Sequence, residues 1–345
     1  MPSFDPRPPA RSDRMLQLAL FITAGAWFLA SQAIAAQAAR GLSVRLNLLP
    51  ERPLLAALFF IFLLALGFSI LQGLSRRRAT LREVLGLPQR PTALREWTLG
   101  AAIGWGGVVL AVLPMALAGT LQFTFWTTTR SFWLLLVNLL TLVVAALAEE
   151  IAFRGYPYRR LIEAIGPVAA TILLSLFFGF LHALNPNATL TSVLVTILAG
   201  IVLSVAWLRT HGLWLPWGLH FAWNASMGLL FGLPVSGMTD FSTVVQTRAF
   251  GHLSLTGGDY GPEGAIFTAV VLLIALAVLV SVTRDYAWNY THPPIVAGGY
   301  PVEPAPPAAH VAMEQQANAA PAAVSLVQIL PTTPQSRSVE DEPKP

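Results

Sequence analysis

Long apolar runs alternate along the chain with short polar, arginine-bearing connections. A helix needs roughly 20 apolar residues to cross a bilayer core about 30 Å thick. Residues 15–39, 53–75, 98–121, 132–153, 168–184, 190–208, 214–231 and 264–283 reach or approach that length. The pattern predicts an all-α, polytopic transmembrane helical bundle of about eight spans. Arg11 and Arg14 precede the first run, and Ala33 and Ala35 resemble a cleavage site. The run nevertheless exceeds the 7–15-residue core of a signal peptide, so a retained helix is expected.

The connections set the orientation. Arg76, Arg77, Arg78, Arg82, Arg90 and Arg95 crowd between the second and third runs. The positive-inside rule makes that segment, and with it both termini, cytoplasmic. Arg159, Arg160, Arg209 and Arg284 then also lie inside, while Arg40, Arg45, Arg52, Arg130 and Arg248 fall outside. The chain divides into a cytoplasmic N-terminal segment (1–14), N-terminal transmembrane helices (15–131), a helical core (132–231), an extracytoplasmic loop (232–263), a last transmembrane helix (264–284) and a tail (285–345). The loop reads as a surface connection. The Pro/Ala/Val-rich tail has too few aromatics to offset its ordering entropy and is expected to be disordered.

Composition agrees with a membrane as solvent: 55% of the 345 residues are hydrophobic and 11% charged, against about 25% charged in soluble domains. The absence of cysteine removes disulfides, thiolate metal sites and a cysteine nucleophile. A net charge of +4 gives no footprint for nucleic acid. Arginine in place of lysine, together with the alanine-proline tail, fits a GC-rich bacterial genome, so a bacterial plasma membrane is the expected location.

Ionisable side chains inside spans are costly unless paired or hydrated, and so point to function. Every aspartate (Asp5, Asp13, Asp240, Asp259, Asp285 and Asp341) lies outside the predicted spans, which leaves a buried Ser-His-Asp triad or aspartyl dyad without its carboxylate. The spans retain Glu149, Glu150 and Arg154 in the fourth run, His182 in the fifth, and His220 with Asn224 in the seventh. Glu150 and Arg154 are one helical turn apart and suit a salt bridge, whereas Glu149 is rotated by about 100° and points elsewhere. The fourth run reads as helical to about residue 164, before Gly166 and Pro167 break it. A hairpin turn near residue 165 lies 16 residues after Glu149 and 17 before His182, which places the two at similar depth on antiparallel neighbours. His220 and Asn224 share a helical face, but bringing them to that depth requires tilt, a broken helix or a re-entrant start near Pro216. Gly100 and Gly104 have the spacing of a helix contact, and Gly155 and Gly179 allow close approach.

Three stretches carry these residues in order: Glu149, Glu150 and Arg154 as EExxxR, Phe178 and His182 as FxxxH, and His220 and Asn224 as HxxxN. Together, across roughly 132–231, they resemble the motifs of the CAAX protease and bacteriocin-processing family of intramembrane glutamate endopeptidases. The resemblance implies that Glu149, helped by His182, activates the attacking water. It further implies that His220 and Asn224 form an oxyanion hole and that Glu150 and Arg154 support them. It implies no cofactor, and a membrane-associated protein or peptide substrate met within the lipid bilayer. Amide hydrolysis does require a base for water and preorganised donors for the oxyanion.

Two other readings use the same residues. Two histidines and a glutamate are acceptable zinc ligands, although the HExxH spacing of many zinc proteases is missing. A non-enzymatic scaffold or transporter would use buried polar groups to bind a partner or relay protons.

Overall fold

The computed structural model describes residues 11–74 and 79–283. Residues 1–10, the arginines Arg76, Arg77 and Arg78, Arg284 and the expected tail 285–345 lie outside the described residues. The described chain is a helical bundle: α1 (Arg11–Arg45), α2 (Arg52–Leu74), α3 (Leu81–Val84), α4 (Ala93–Leu117), α5 (Thr129–Arg154), α6 (Tyr156–Ile165), α7 (Pro167–His182), α8 (Leu190–Thr210), α9 (Trp214–Ala225), α10 (Leu253–Thr256) and α11 (Ile266–Val282). Two strands, β1 (Leu121–Phe125) and β2 (Val245–Ala249), form one antiparallel pair.

Five helical stretches among the described residues are long and apolar enough to cross a membrane: Asp13–Arg45, Arg52–Leu74, Ala93–Leu117, Thr129–Ile165 and Leu190–Thr210. Three of the about eight expected spans fall short of that length. α7 and α11 have 16 and 17 residues, a rise of about 25 Å each. α9 has only 12 residues before it widens into a π-turn at Ser226–Leu230. The seventh run is thus α-helical only to Ala225, with His220 and Asn224 both on its regular part.

The fourth run also differs from expectation. It does not continue as one regular helix to residue 164, because Gly155 (φ −80°, ψ −129°) leaves the helical region and separates α5 from α6. A Cβ at this position would collide with the Ile151 carbonyl, which explains why the chain turns at a glycine. α6 rather than α5 consequently forms the hairpin with α7 across Gly166 (φ +88°), and α7 lies mainly against α8.

The side chains form two cores. One joins α1, α2, the end of α5, α6 and α7 around Phe28, Phe60, Phe68, Tyr156 and Phe178. The other joins α4, α8, α9 and α11 around Met115, Val202, Leu219, Trp223 and Leu272. Contact between α4 and α9 is close because Gly100 and Gly104 lie directly over the Leu215 and Leu219 carbonyls, as small residues permit between membrane helices.

Polar side chains tie the ends of the bundle. At one end Arg90 donates to the Thr210 carbonyl at 2.7 Å and forms a buried ion pair with Glu96. Arg159 donates to the Glu83 carbonyl at 3.1 Å, and Arg209 to Thr283 Oγ1 at 2.9 Å. At the other end β1 pairs with β2, with Gln122 opposite Arg248 and Thr124 opposite Gln246 on one polar face. The stretch expected as a surface loop thus contributes a strand. It also buries Leu233, Val235 and Tyr260 against the bundle.

The α4–α9 contact generates a paired prediction. Gly104→Ala places a methyl group against backbone and should destabilise the protein by about 1–3 kcal/mol. Gly106 meets no neighbour, so Gly106→Ala should be neutral or stabilising by up to about 1 kcal/mol. Equal unfolding midpoints for the two variants in detergent would contradict this packing.

Candidate active site

Glu149 and Glu150 follow one another on α5, so their side chains diverge. Glu150 is fully buried, and its Oε1 lies 3.1 Å from Arg154 Nη1 and 2.8 Å from His220 Nδ1. Arg154 donates further to the Gly200 carbonyl on α8 at 3.2 Å, and its guanidinium sits 4.6 Å from the Phe178 ring centroid on α7, a cation–π distance. The expected salt bridge between Glu150 and Arg154 is therefore present, and it extends to α7, α8 and α9.

Glu149 takes no part in that pair. Its side chain is 39% exposed, and its Oε2 lies 3.8 Å from His220 Nε2, beyond hydrogen-bond reach. That oxygen is buried and has no hydrogen-bond partner among the described residues. The imidazole nearest Glu149 is therefore that of His220, not that of His182 as the hairpin count suggested. The break at Gly155 accounts for this, because it gives α7 to α8 and leaves α5 against α9.

Backbone and carboxylate partners define the histidine tautomers. His182 Nδ1 lies 2.8 Å from the Phe178 carbonyl, which only accepts. Nδ1 therefore carries hydrogen, and the neutral ring keeps its lone pair on Nε2. In His220 the carboxylate of Glu150 likewise calls for hydrogen on Nδ1, with Nε2 turned toward Glu149.

Glu149, His182, His220 and Asn224 all line one cavity of about 180 Å³, the size of several water molecules. Phe28 of α1 and Phe60 of α2 form part of its apolar wall, although the first spans carry none of the motifs. A smaller cavity of about 50 Å³ shares His182, His220, Asn224 and Ser236 and adds Glu263. Phe178 is buried and holds its ring 4.4 Å from that of His182, in keeping with a packing role.

Sequence reasoning did not single out Asn185, Ser236 or Glu263. Asn185 lines the larger cavity one turn beyond His182 and donates to the Ser236 carbonyl at 3.1 Å. Glu263 accepts from Trp223 Nε1 at 2.8 Å and from Ser236 Oγ at 3.0 Å. The available signal was an acid set between Pro262 and Gly264 just before an apolar run. Burial, with the Glu263 carboxylate nearby, pushes the Tyr260 hydroxyl up to about 12, so it remains neutral at any physiological pH. Among the described residues, no group of three or more histidine, aspartate or glutamate side chains is arranged to hold a metal ion.

Removing one member of a buried ion pair costs about 3–5 kcal/mol, because the other charge is left uncompensated. Arg154→Met should accordingly lower the unfolding midpoint strongly. Arg154→Met combined with Glu150→Gln should recover part of the loss, as read by thermal denaturation in detergent. An unchanged midpoint in the single variant would contradict the pairing.

Residues 131–226 match the family model described as Type II CAAX prenyl endopeptidase Rce1-like. No curated protein matches the chain, and no solved structure does. The matched window contains Glu149, Glu150, Arg154, His182, His220 and Asn224, whereas Phe28, Phe60, Val235, Ser236 and Met238 of the cavity lining lie outside it. This integral membrane protein is therefore similar, across residues 131–226, to the Rce1-like family of type II CAAX prenyl endopeptidases.

Proposed function

We propose that the protein is a metal-independent intramembrane endopeptidase that hydrolyses a peptide bond of a membrane-associated protein or peptide. One observation carries the reading: Glu149, His182, His220 and Asn224, from three different helices, line a single cavity in which a Glu149 oxygen has no partner. In this mechanism a water lies between Glu149 and His182 Nε2. Glu149 takes its proton as the water oxygen attacks the scissile carbonyl carbon. The developing oxyanion receives hydrogen bonds from His220 Nε2–H and the Asn224 amide. Donation from Nε2 requires the ring to carry a proton on each nitrogen, a positive charge that sits between Glu149 and Glu150. Glu149 then passes its proton to the leaving nitrogen, and the carbon–nitrogen bond breaks. Arg154 and Glu150 hold His220 in place throughout. The apolar wall containing Phe28 and Phe60 receives the apolar part of the substrate.

The test is cleavage of a bilayer-anchored fluorogenic peptide by the purified protein in liposomes. Glu149→Gln and His182→Ala should each lower kcat by about 10²–10⁴, and Asn224→Ala by about 10²–10³, with unfolding midpoints within a few degrees of wild type. Full activity in Glu149→Gln would end the assignment. Activity should also survive prolonged chelation with phenanthroline. Loss on chelation with recovery on added zinc would replace this mechanism with the zinc reading, and a proton-coupled flux without cleavage would favour transport.

We further propose that the end of the bundle carrying Arg90, Arg159 and Arg209 faces the cytoplasm. A chain without cysteine allows a clean test with single introduced thiols. Arg82→Cys should react with an impermeant maleimide only after inside-out vesicles are formed, and Gln122→Cys only in intact spheroplasts. The reverse pattern would invert the topology.

A further inference from the structure

A tight turn closes the larger cavity on its β-sheet side. Val235 and Met238 exchange backbone hydrogen bonds at 2.9 Å, and the two residues between them, Ser236 (φ +48°) and Gly237 (φ +83°), are both left-handed. Paired positive φ values at the centre of a two-residue connection define a type I′ turn, which favours asparagine or glycine first. A serine holds that conformation only when its surroundings fix it.

The surroundings do fix it. Glu263 accepts from both the Ser236 backbone N–H at 2.5 Å and Ser236 Oγ at 3.0 Å. Asn185 donates to the Ser236 carbonyl at 3.1 Å, and the Gly237 N–H donates to the Tyr260 carbonyl at 3.0 Å. Gly237 lies so close to the Pro186 carbonyl that a Cβ would collide with it. The same Glu263 carboxylate accepts from Trp223 Nε1 at 2.8 Å, and Trp223 is the neighbour of Asn224 on α9. A single carboxylate thus fastens the turn to the helix that carries His220 and Asn224. Val235, Ser236 and Met238 line the same cavity as Phe28 and Phe60.

We propose that Glu263 is a positioning residue that sets the width of the substrate cavity by pinning the Val235–Met238 turn, so that Val235 and Met238 determine the bulk of substrate side chain admitted beside Glu149. The inference rests on the endopeptidase reading above. Its own content is that specificity resides in a segment outside residues 131–226, the span of the family match. A carboxylate can serve all three donors, whereas the amide of Glu263→Gln has one accepting oxygen and would turn an N–H toward Trp223 or Ser236.

The experiment compares two bilayer-anchored reporters that differ only in having alanine or phenylalanine at the residue before the scissile bond. Met238→Ala, which widens the wall directly, should raise the phenylalanine-to-alanine ratio of kcat/KM about tenfold, mainly through KM. Glu263→Gln should shift the ratio in the same direction by loosening the turn, and Glu263→Asp should shift it less. Equal loss on both reporters, or no change in the ratio, would overturn the proposal and leave Glu263 a purely structural residue. Hydrogen exchange provides a readout that does not depend on cleavage. The Ser236 and Gly237 amides should exchange at least tenfold faster in Glu263→Gln than in wild type, and unchanged protection would overturn the pinning. Were Glu263→Gln not to fold, Ser236→Ala removes one of the three bonds and should show the same shifts at smaller size. An inactive wild type whose turn is nonetheless deprotected by Glu263→Gln would refute the endopeptidase reading and leave the pinning supported.

Discussion

The buried carboxylate of Glu150 is the constraint around which the bundle is arranged. A charge moved out of water into a medium of low polarity is tolerable only with compensation from close partners. Here Arg154 supplies the opposite charge from the same helix, and His220 supplies an N–H from another. The guanidinium also donates through Nη2 to the Gly200 carbonyl and lies over the face of Phe178. These partners come from α5, α7, α8 and α9, and the network lies where the two apolar cores meet. Apolar packing alone orients membrane helices weakly, because lipid tails offer them much the same surroundings. A directional network of this kind specifies which helix faces which.

The same network explains why two adjacent glutamates behave differently. A rotation of about 100° separates a side chain that stays paired from one that reaches the cavity. Had Glu149 been the partner of Arg154, the cavity would contain no carboxylate with an available oxygen. Because Glu150 pairs with the arginine and orients His220 through Nδ1, Glu149 is left facing Nε2 across a 3.8 Å gap. The distance is too long for a hydrogen bond within the protein.

Much of this arrangement was legible in the sequence. Apolar run lengths located the helices, and the four-residue spacing of Glu150 and Arg154 marked their salt bridge. Glu149, His182, His220 and Asn224, which line one cavity, stood out by the cost of placing polar groups in a membrane. What could not be read were the breaks. Gly155 looks like any small residue in a helical run, yet its backbone leaves the helix and changes the partner of α7. The π-turn after Ala225 likewise shortens α9 without a proline or a charge to mark it. The stretch 232–263 was misjudged for a related reason: its polar, glycine-containing composition describes a loop. Its pairing with β1 and its insertion over the cavity depend on long-range contacts that local composition does not encode.

That stretch changes how the cavity should be understood. Helices from the middle of the chain supply Glu149, His182, His220 and Asn224, but other segments complete the lining. Phe28 and Phe60 from the first two helices close one side with apolar surface, and the Val235–Met238 turn closes another with backbone held by polar side chains. The two walls differ in kind. An aromatic wall between lipid-facing helices can yield laterally at the cost of dispersion contacts that the lipid partly replaces. A turn with two left-handed residues, tied through Ser236 to Glu263 and Asn185, has few other conformations to adopt. If the cavity holds a substrate as proposed, the turn is the side on which discrimination falls, and the side of α1 and α2 is the one that can admit it from the bilayer.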